Sequence, residues 1–161
     1  MKSKPTGYLS LNLVSPPEHA FRKVEKDWHV FDIIRRKWLV LTPEEWVRQH
    51  LVADLLSKGY PPVTLTLEKS ITLNGMTRRF DLVVSGRSGT MMLVECKKFD
   101  VELDEKVYVQ ALRYNRSLNS PVVLITNGIM HQLFVSGMDE YRLYALRIPD
   151  FYELKNIINT P

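Results

Sequence analysis

Apolar positions recur at two different spacings along the chain, and each spacing predicts one kind of element. The clearest helical spacing runs over residues 43–57, where Thr42 can cap the first turn and Gly59 follows the last turn. Two more helices are predicted at 103–118 and 150–158. Strands are predicted at 28–41 (two strands), 64–69, 70–73, 76–84, 90–97, 121–126, 132–135 and 141–146. This order of elements predicts an α/β or α+β fold, with a sheet flanked by helices.

The length of 161 residues predicts a single domain. Residues 1–20 are polar and contain Pro5, Pro16 and Pro17, so we expect an N-terminal arm there and one domain over residues 21–161. The composition is 45% hydrophobic and 25% charged, which is typical of a globular protein and unlike a disordered or fibrous chain.

Cysteine content and apolar runs exclude some classes of protein. Cys96 is the only cysteine, which excludes a disulfide framework or a Cys-based zinc site within one chain. The apolar runs reach about five residues, whereas a membrane helix needs about 20. We therefore expect a cytoplasmic protein that makes no membrane contact. The net charge of +4 is compatible with a polyanionic partner without requiring one.

Two acidic residues lie on neighbouring predicted strands, Asp81 on the strand at 76–84 and Glu95 on the strand at 90–97. If the turn between the strands holds an odd number of residues, both acids point to the same face of the sheet. With Val84 opposite Thr90, Asp81 would face Leu93 and Glu95 would be its diagonal neighbour. A turn with an even number of residues would place the two acids on opposite faces.

The run Met91–Val94 is continuously apolar, as expected of a central strand that is covered on both faces. Carboxylates at the end of such a strand repel each other and lose water, and a divalent cation such as Mg²⁺ or Mn²⁺ relieves both penalties. Lys97 could hold or polarise a water molecule beside the cation. The alternative is a solvated Glu95–Lys97 pair on an edge strand.

Two predicted helices carry polar residues on their apolar arcs. Glu45 and Arg48 fall on the arc of the first helix, and Gln110 falls beside Tyr114 on the arc of the second. Together they indicate a shared polar cleft. Taken singly, each has a structural alternative: a capping box for Glu45, an ion pair for Arg48, and a buried tyrosine with an amide neighbour.

These motifs resemble those of a known family. Asp81 followed by Glu95-Cys96-Lys97 resembles the signature of the PD-(D/E)XK nuclease superfamily. The segment 41–49 resembles the opening helix of the N-terminal nuclease domain of type I restriction enzyme R subunits and of their small stand-alone relatives. Gln110 and Tyr114 resemble the Gln-x-x-x-Tyr motif of the RecB-like branch, and 126–128 (Thr-Asn-Gly) also looks like this group. The resemblance spans about residues 31–134.

The resemblance implies a restriction-endonuclease-like fold, with a central mixed sheet flanked by helices, and a Mg²⁺- or Mn²⁺-dependent DNA nuclease of restriction-modification. It implies metal ligands at Asp81, Glu95, the backbone carbonyl of Cys96, and Glu45. Lys97 would orient the attacking water and steady charge at the scissile phosphate. Gln110 and Tyr114 would hold the site or the DNA backbone.

Basic residues near these motifs are candidates for contacts to DNA phosphates. The candidates are Arg48, Arg78, Arg79 and Lys98, whereas Arg113 and Arg116 are better explained as part of a solvated basic face. Phosphate contacts would make binding salt-dependent and largely indifferent to sequence.

The sequence contains no Gly-x-x-x-x-Gly-Lys-Ser/Thr loop, so an ATP-driven motor would have to come from a partner, such as a motor or restriction-complex subunit. One rival function is a catalytically silent nuclease fold that binds DNA or docks a partner subunit. Another is a nuclease that acts on RNA or on a particular nucleic-acid structure. The oligomeric state stays open, a homodimer included.

Overall fold

A computed structural model describes residues 5–73, 75–115, 118–138 and 140–159 of the protein. Within these ranges the chain forms nine strands and three helices. The strands are β1 (Phe21–Val24), β2 (Asp27–Asp32), β3 (Lys37–Val40), β4 (Leu65–Leu73), β5 (Met76–Gly86), β6 (Gly89–Cys96), β7 (Val122–Thr126), β8 (His131–Ser136) and β9 (Tyr141–Ala145). The helices are α1 (Pro43–Ser57), α2 (Glu105–Asn115) and α3 (Phe151–Asn159).

The larger sheet has six strands in the order β4-β5-β6-β7-β8-β9. Strands β6 and β7 pair in parallel, and the other neighbours pair antiparallel, so the sheet is mixed. The parallel pair follows from α2, because a parallel connection needs a crossover long enough to hold a helix. The predicted α+β fold, a mixed sheet flanked by helices, is confirmed.

Two apolar clusters cover the two sides of this sheet. Helices α1 and α3 pack with side chains such as Leu82 and Val94 in one cluster. Helix α2 contributes Ala111 to the other cluster, which holds Val83 and Leu93. Strand β7 is buried at all five positions, as expected of a strand covered on both faces.

A smaller antiparallel sheet, β1-β2-β3, packs beside α1. Its Val30 shares an apolar cluster with Leu41 and Trp46 of the α1 segment. Strand β1 lies just after the predicted arm and was not predicted from the sequence, because Arg22 and Lys23 interrupt its apolar pattern. No helix in the described ranges is long and apolar enough to span a membrane.

The N-terminal segment packs against the rest of the domain along residues 8–14. The Tyr8 hydroxyl donates to the carbonyl of Leu41 at 2.7 Å, and the Trp46 indole donates to the carbonyl of Leu9 at 3.0 Å. Asn12 donates its backbone N–H to the carbonyl of Gly128 at 2.8 Å. This part of the predicted arm is therefore tied to α1 and to the turn after β7.

The turn after β7 gives a prediction about stability. Gly128 has a φ of 85°, and a Cβ there would lie 2.9 Å from a methyl carbon of Leu11. We expect Gly128→Ala to lower the free energy of unfolding in urea by about 2–3 kcal/mol, from backbone strain and from the clash.

Gly59 is the matched control for that substitution, because it has a φ of 80° and nothing within 4 Å of an added Cβ. Gly59→Ala carries the backbone strain alone and should cost about 1 kcal/mol. Equal losses for the two variants would show that the Leu11 contact has no effect on stability.

Candidate active site

The first two turns of helix α1 carry polar residues on one face of the helix. Thr42 caps the helix by accepting the backbone N–H of Glu45 at 3.1 Å, and Pro43 occupies the first helical position, where it needs no N–H partner. The helix has the predicted bounds. Because residues three and four apart share a helix face, Arg48 lies next to both Glu44 and Glu45.

Glu45 is buried in a network of nitrogen donors. Its Oε1 accepts from Arg35 Nη2 at 2.8 Å and from Gln49 Nε2 at 2.7 Å, and its Oε2 accepts from Arg48 Nη1. The side chain therefore does not close a capping box, although the Thr42 half of that motif is present. These contacts give Glu45 a structural role, and its predicted role as a metal ligand stays a prediction.

Asp81 lies where β5 and β6 separate. Its Oδ2 accepts the backbone N–H of Cys96 at 2.8 Å, and its Oδ1 accepts from Arg48 Nη2 at 2.8 Å. Strict alternation along β5 was wrong at this point, because Phe80 packs in the α2-side cluster and Leu82 in the α1-side cluster. The Asp81 carboxylate thus accepts the Cys96 N–H in place of a backbone carbonyl of a neighbouring strand, and it lies against the Glu95–Lys97 segment.

The position of Glu95 depends on a β-bulge. The predicted pairing of Val84 with Thr90 was wrong, since Ser85 pairs with Thr90 and Val84 pairs with Met92. The loop between β5 and β6 has two residues, which is an even number. Met91 is an extra, unpaired residue in β6, and it shifts the pairing by one position, so the two acids are placed as they would be with an odd number of residues in the loop. The ladder ends at Leu82↔Val94, so Asp81 and Glu95 occupy the next position.

Glu95 and Lys97 form an ion pair, with Oε1 and Nζ 2.9 Å apart. Burial raises the pKa of Glu95, the charge of Asp81 raises it further, and the hydrogen bond from Lys97 opposes both effects. Burial lowers the pKa of Lys97, but its hydrogen bond and attraction to Glu95 prevail, and the pKa is raised overall. Lys97 is therefore a cation at neutral pH.

Two further acids of the site were missed by the sequence analysis. Glu44 accepts from Arg48 Nη2 at 3.0 Å, and its negative charge raises the pKa values of Glu95 and Lys97. Glu68 on β4 forms an ion pair with Arg35 and lies 3.8 Å from Arg48 Nη1. Glu44 could have been found as the neighbour of Glu45, whereas no local signal marks Glu68.

The residues joined by these contacts carry an excess of negative charge. Six carboxylates and four cationic side chains leave a formal charge of −2 in the network. The carboxylates are Asp32, Glu44, Glu45, Glu68, Asp81 and Glu95, and the cations are Arg35, Arg48, Arg79 and Lys97. In the described part of the chain, no group of three or more His, Cys, Asp or Glu side chains is arranged to hold a metal ion.

The predicted position of Gln110 on the buried arc of α2 was wrong. The residue is exposed and lines a surface depression with Lys106, Val109 and other residues of the same helix. The buried face of α2 is centred on Ala111 and Asn115, which are four residues apart. The side chain of Tyr114 lies outside the described residues, and so does Arg116, so the predictions for them stay open.

The predicted phosphate contacts fall into two groups. Arg78, Arg79 and Lys98 are exposed at or near the ends of β5 and β6. Arg48 is only 4% exposed and donates to three carboxylates, so it is placed to hold acids rather than to meet DNA.

The mixed sheet, with Asp81 and the Glu95-Cys96-Lys97 segment side by side where β5 stops pairing with β6, has a restriction-endonuclease-like fold. Residues 43–149, more than half of this chain, match the sequence profile of the type I restriction enzyme R protein N terminus. The protein belongs to that family. No curated protein sequence matches the chain.

The solved structures that match the chain include the following two. One is a fragment assigned as an HsdR subunit of a type I restriction enzyme from Vibrio vulnificus YJ016, with a TM-score of 0.59 and 20% identity over 73% of this chain. This chain covers 25% of that fragment's length. The other is a DUF820 protein assigned as a nuclease from Anabaena variabilis ATCC 29413, with a TM-score of 0.46 and 12% identity over 75% of this chain and 85% of the other.

Proposed function

We propose that the protein is a metal-dependent nuclease that hydrolyses DNA phosphodiester bonds. The observation that carries the proposal is the meeting of Asp81, Glu95 and Lys97 where β5 stops pairing with β6, within a network of formal charge −2. Membership of the restriction enzyme R protein N-terminus family supports the same reaction class.

The oxygen donors at the site are of the type that a small, hard divalent cation prefers. Asp81 and Glu95 offer carboxylate oxygens, which Mg²⁺ and Mn²⁺ prefer, and the backbone carbonyl of Cys96 lies between Glu95 and Lys97 in the chain. Asp81 and Glu95 would be the protein ligands. When bound, the cation would neutralise charge on the phosphate and lower the pKa of a water molecule.

Lys97 would act on the attacking water and on the phosphate. Its ammonium group is positioned by Glu95 at 2.9 Å and stays charged at neutral pH. A fixed positive charge in a partly buried site stabilises the negative charge that develops in the transition state of hydrolysis. Glu95 would then serve both as a cation ligand and as the group that orients Lys97.

The exposed side chains of Arg78, Arg79 and Lys98 would contact DNA phosphates, so binding should weaken steeply with salt and depend little on base sequence. The 161 residues contain no P-loop, so any ATP-driven translocation would have to be supplied from outside them.

A plasmid-nicking assay tests the proposal. We expect the wild-type protein to nick supercoiled DNA with Mg²⁺ or Mn²⁺ and to lose this activity when the cation is chelated. Asp81→Asn keeps the size and one acceptor oxygen for Cys96, and it should reduce nicking at least about 100-fold because a ligand charge is lost. Circular dichroism confirms that the variant is folded. Equal nicking by both proteins would contradict the assigned site.

One observation favours a second candidate, a silent nuclease fold that binds DNA or docks a partner subunit. Arg48 already neutralises Asp81 at 2.8 Å, so the carboxylate has a counter-ion within the protein. In that case DNA binding would fall with salt, and no cation would give cleavage on single-stranded, forked or duplex substrates. A nuclease specific for RNA or for one DNA structure would appear as cleavage of only one substrate in that panel.

A further inference from the structure

Arg48, on helix α1, donates a hydrogen bond to one of the two carboxylate oxygens of Asp81. Its Nη2 donates to Asp81 Oδ1 at 2.8 Å and to Glu44 Oε1 at 3.0 Å, while the other oxygen of Asp81 accepts from Cys96. A divalent cation on Asp81 would therefore meet a guanidinium on the same carboxylate. Two cationic groups that share one small anion repel each other strongly in a partly buried site.

A second anion lies close to the same guanidinium. Nη1 of Arg48 donates to Glu45 and lies 3.8 Å from Glu68 Oε1, beyond hydrogen-bond distance but within an ion pair. The Nε of Arg48 is buried and has no hydrogen-bond partner among the described residues. The guanidinium thus keeps one unpaired buried donor, and a small shift would bring its Nη1 within hydrogen-bond distance of Glu68, whose other oxygen pairs with Arg35.

The backbone of Glu68 points to a constrained position. Its φ of 51° lies in the left-handed region, which residues with a Cβ rarely adopt and which persists only where the surroundings enforce it. Glu68 also lies between the paired positions Leu67↔Leu82 and Lys69↔Phe80, at the height of Asp81 on the neighbouring strand. The two acids therefore flank Arg48 from adjacent strands.

We propose that Arg48 is a positioning residue that exchanges one of its anionic partners for another. It neutralises Asp81 while no cation is bound, and it moves its contact to Glu68 when a divalent cation binds Asp81. The proposal rests on the proposed function, since it assumes that Asp81 is a cation ligand. Arg48 would lower the affinity of the site for the cation, and Glu68 would raise that affinity by receiving the guanidinium.

A double-mutant cycle tests this proposal, with Mn²⁺ binding measured by isothermal titration calorimetry in the absence of DNA. We expect Arg48→Gln to tighten Mn²⁺ binding about fivefold and Glu68→Gln to weaken it about fivefold, a typical coupling between sites. In the Arg48→Gln background, Glu68→Gln should change the affinity less than about twofold, because Glu68 acts through Arg48.

The cycle separates this mechanism from a general effect of charge. If Glu68→Gln weakens binding by the same factor in both backgrounds, the two charges act independently and the proposal is wrong. Weaker Mn²⁺ binding by Arg48→Gln would also overturn it. Lys58→Gln is the matched control, since it removes one positive charge and one ion pair, with Asp54, at the far end of α1. It should leave the Mn²⁺ affinity unchanged.

A second measurement covers the case in which Arg48→Gln does not fold. In the ¹⁵N side-chain spectrum of wild-type arginines, a Mg²⁺ titration should shift the Arg48 signals and saturate with the calorimetric dissociation constant. Saturable Mg²⁺ binding without a shift of the Arg48 signals would overturn this proposal but not the proposed function. Absence of any Mg²⁺ or Mn²⁺ binding by the wild-type protein would contradict the proposed function itself.

Discussion

Replacement of Lys97 by alanine is expected to slow metal-dependent DNA cleavage by about 100- to 1000-fold, the range found when one preorganised electrostatic group is removed from an active site. Lys97 is held 2.9 Å from Glu95, and its raised pKa keeps it charged at neutral pH. In the proposed mechanism, its loss would remove the positive charge beside the attacked phosphate. The first-order rate of nicking at saturating protein and Mg²⁺ measures this effect.

Lys26 provides the control, because it is an exposed lysine in the turn between β1 and β2. Lys26→Ala should cleave at the wild-type rate. The Lys97→Ala variant should still bind Mn²⁺, since both carboxylates remain, so a loss of rate with retained cation binding identifies a role in the chemical step. A cleavage rate within threefold of wild type would exclude that role for Lys97.

Removal of the Glu45 side chain should cause the largest loss of stability in the site. Glu45 is 7% exposed and accepts hydrogen bonds from Arg35, Arg48 and Gln49. Alanine at this position removes one carboxylate partner from the buried guanidinium of Arg48 and from the half-buried guanidinium of Arg35. We expect Glu45→Ala to lower the free energy of unfolding by about 3 kcal/mol, the lower end of the range for a broken buried ion pair, because Arg35 and Arg48 keep other carboxylates.

Glu44 is the adjacent control, with the same side chain, the same helical turn and a single ion pair to Arg48. Its side chain is 44% exposed, so solvent screens the pair, and Glu44→Ala should cost less than about 1 kcal/mol. Urea denaturation of both variants gives the comparison. Equal costs at the two positions would mean that the buried network around Glu45 does not stabilise the fold.

Much of the fold follows from local patterns in the sequence. Thr42 and Pro43 begin α1, and its end at Ser57 precedes Gly59, so the helix was predicted with its observed bounds. The strands of the mixed sheet were also predicted with their ends within a few residues, except that the segments predicted at 64–69 and 70–73 form the single strand β4. Helix α2 was predicted at 103–118 and spans Glu105–Asn115, so the prediction began two residues too early.

The candidate site was predicted only in part. Asp81, Glu95 and Lys97 were found from their spacing, and the structure brings them to one end of the sheet. The surroundings of Asp81 were not predicted, because strand alternation breaks at this residue and places Phe80 and Leu82 in different clusters. The prediction that side chains alternate between the two faces assumes regular backbone hydrogen bonds between the strands. At Asp81 the side-chain carboxylate, and not a backbone carbonyl, accepts the N–H of Cys96.

The sequence by itself determined most of the helices and strands, because capping residues, turns and apolar spacing act over a few neighbouring positions. It also determined which acids and which lysine lie near the ends of β5 and β6. Only the tertiary structure decided their partners. The contact of Arg48 with Asp81 and that of Arg35 with Glu68 each join residues 33 positions apart. No local pattern in the sequence encodes ion pairs between residues so far apart. The register of Glu95 is likewise set by a β-bulge at Met91.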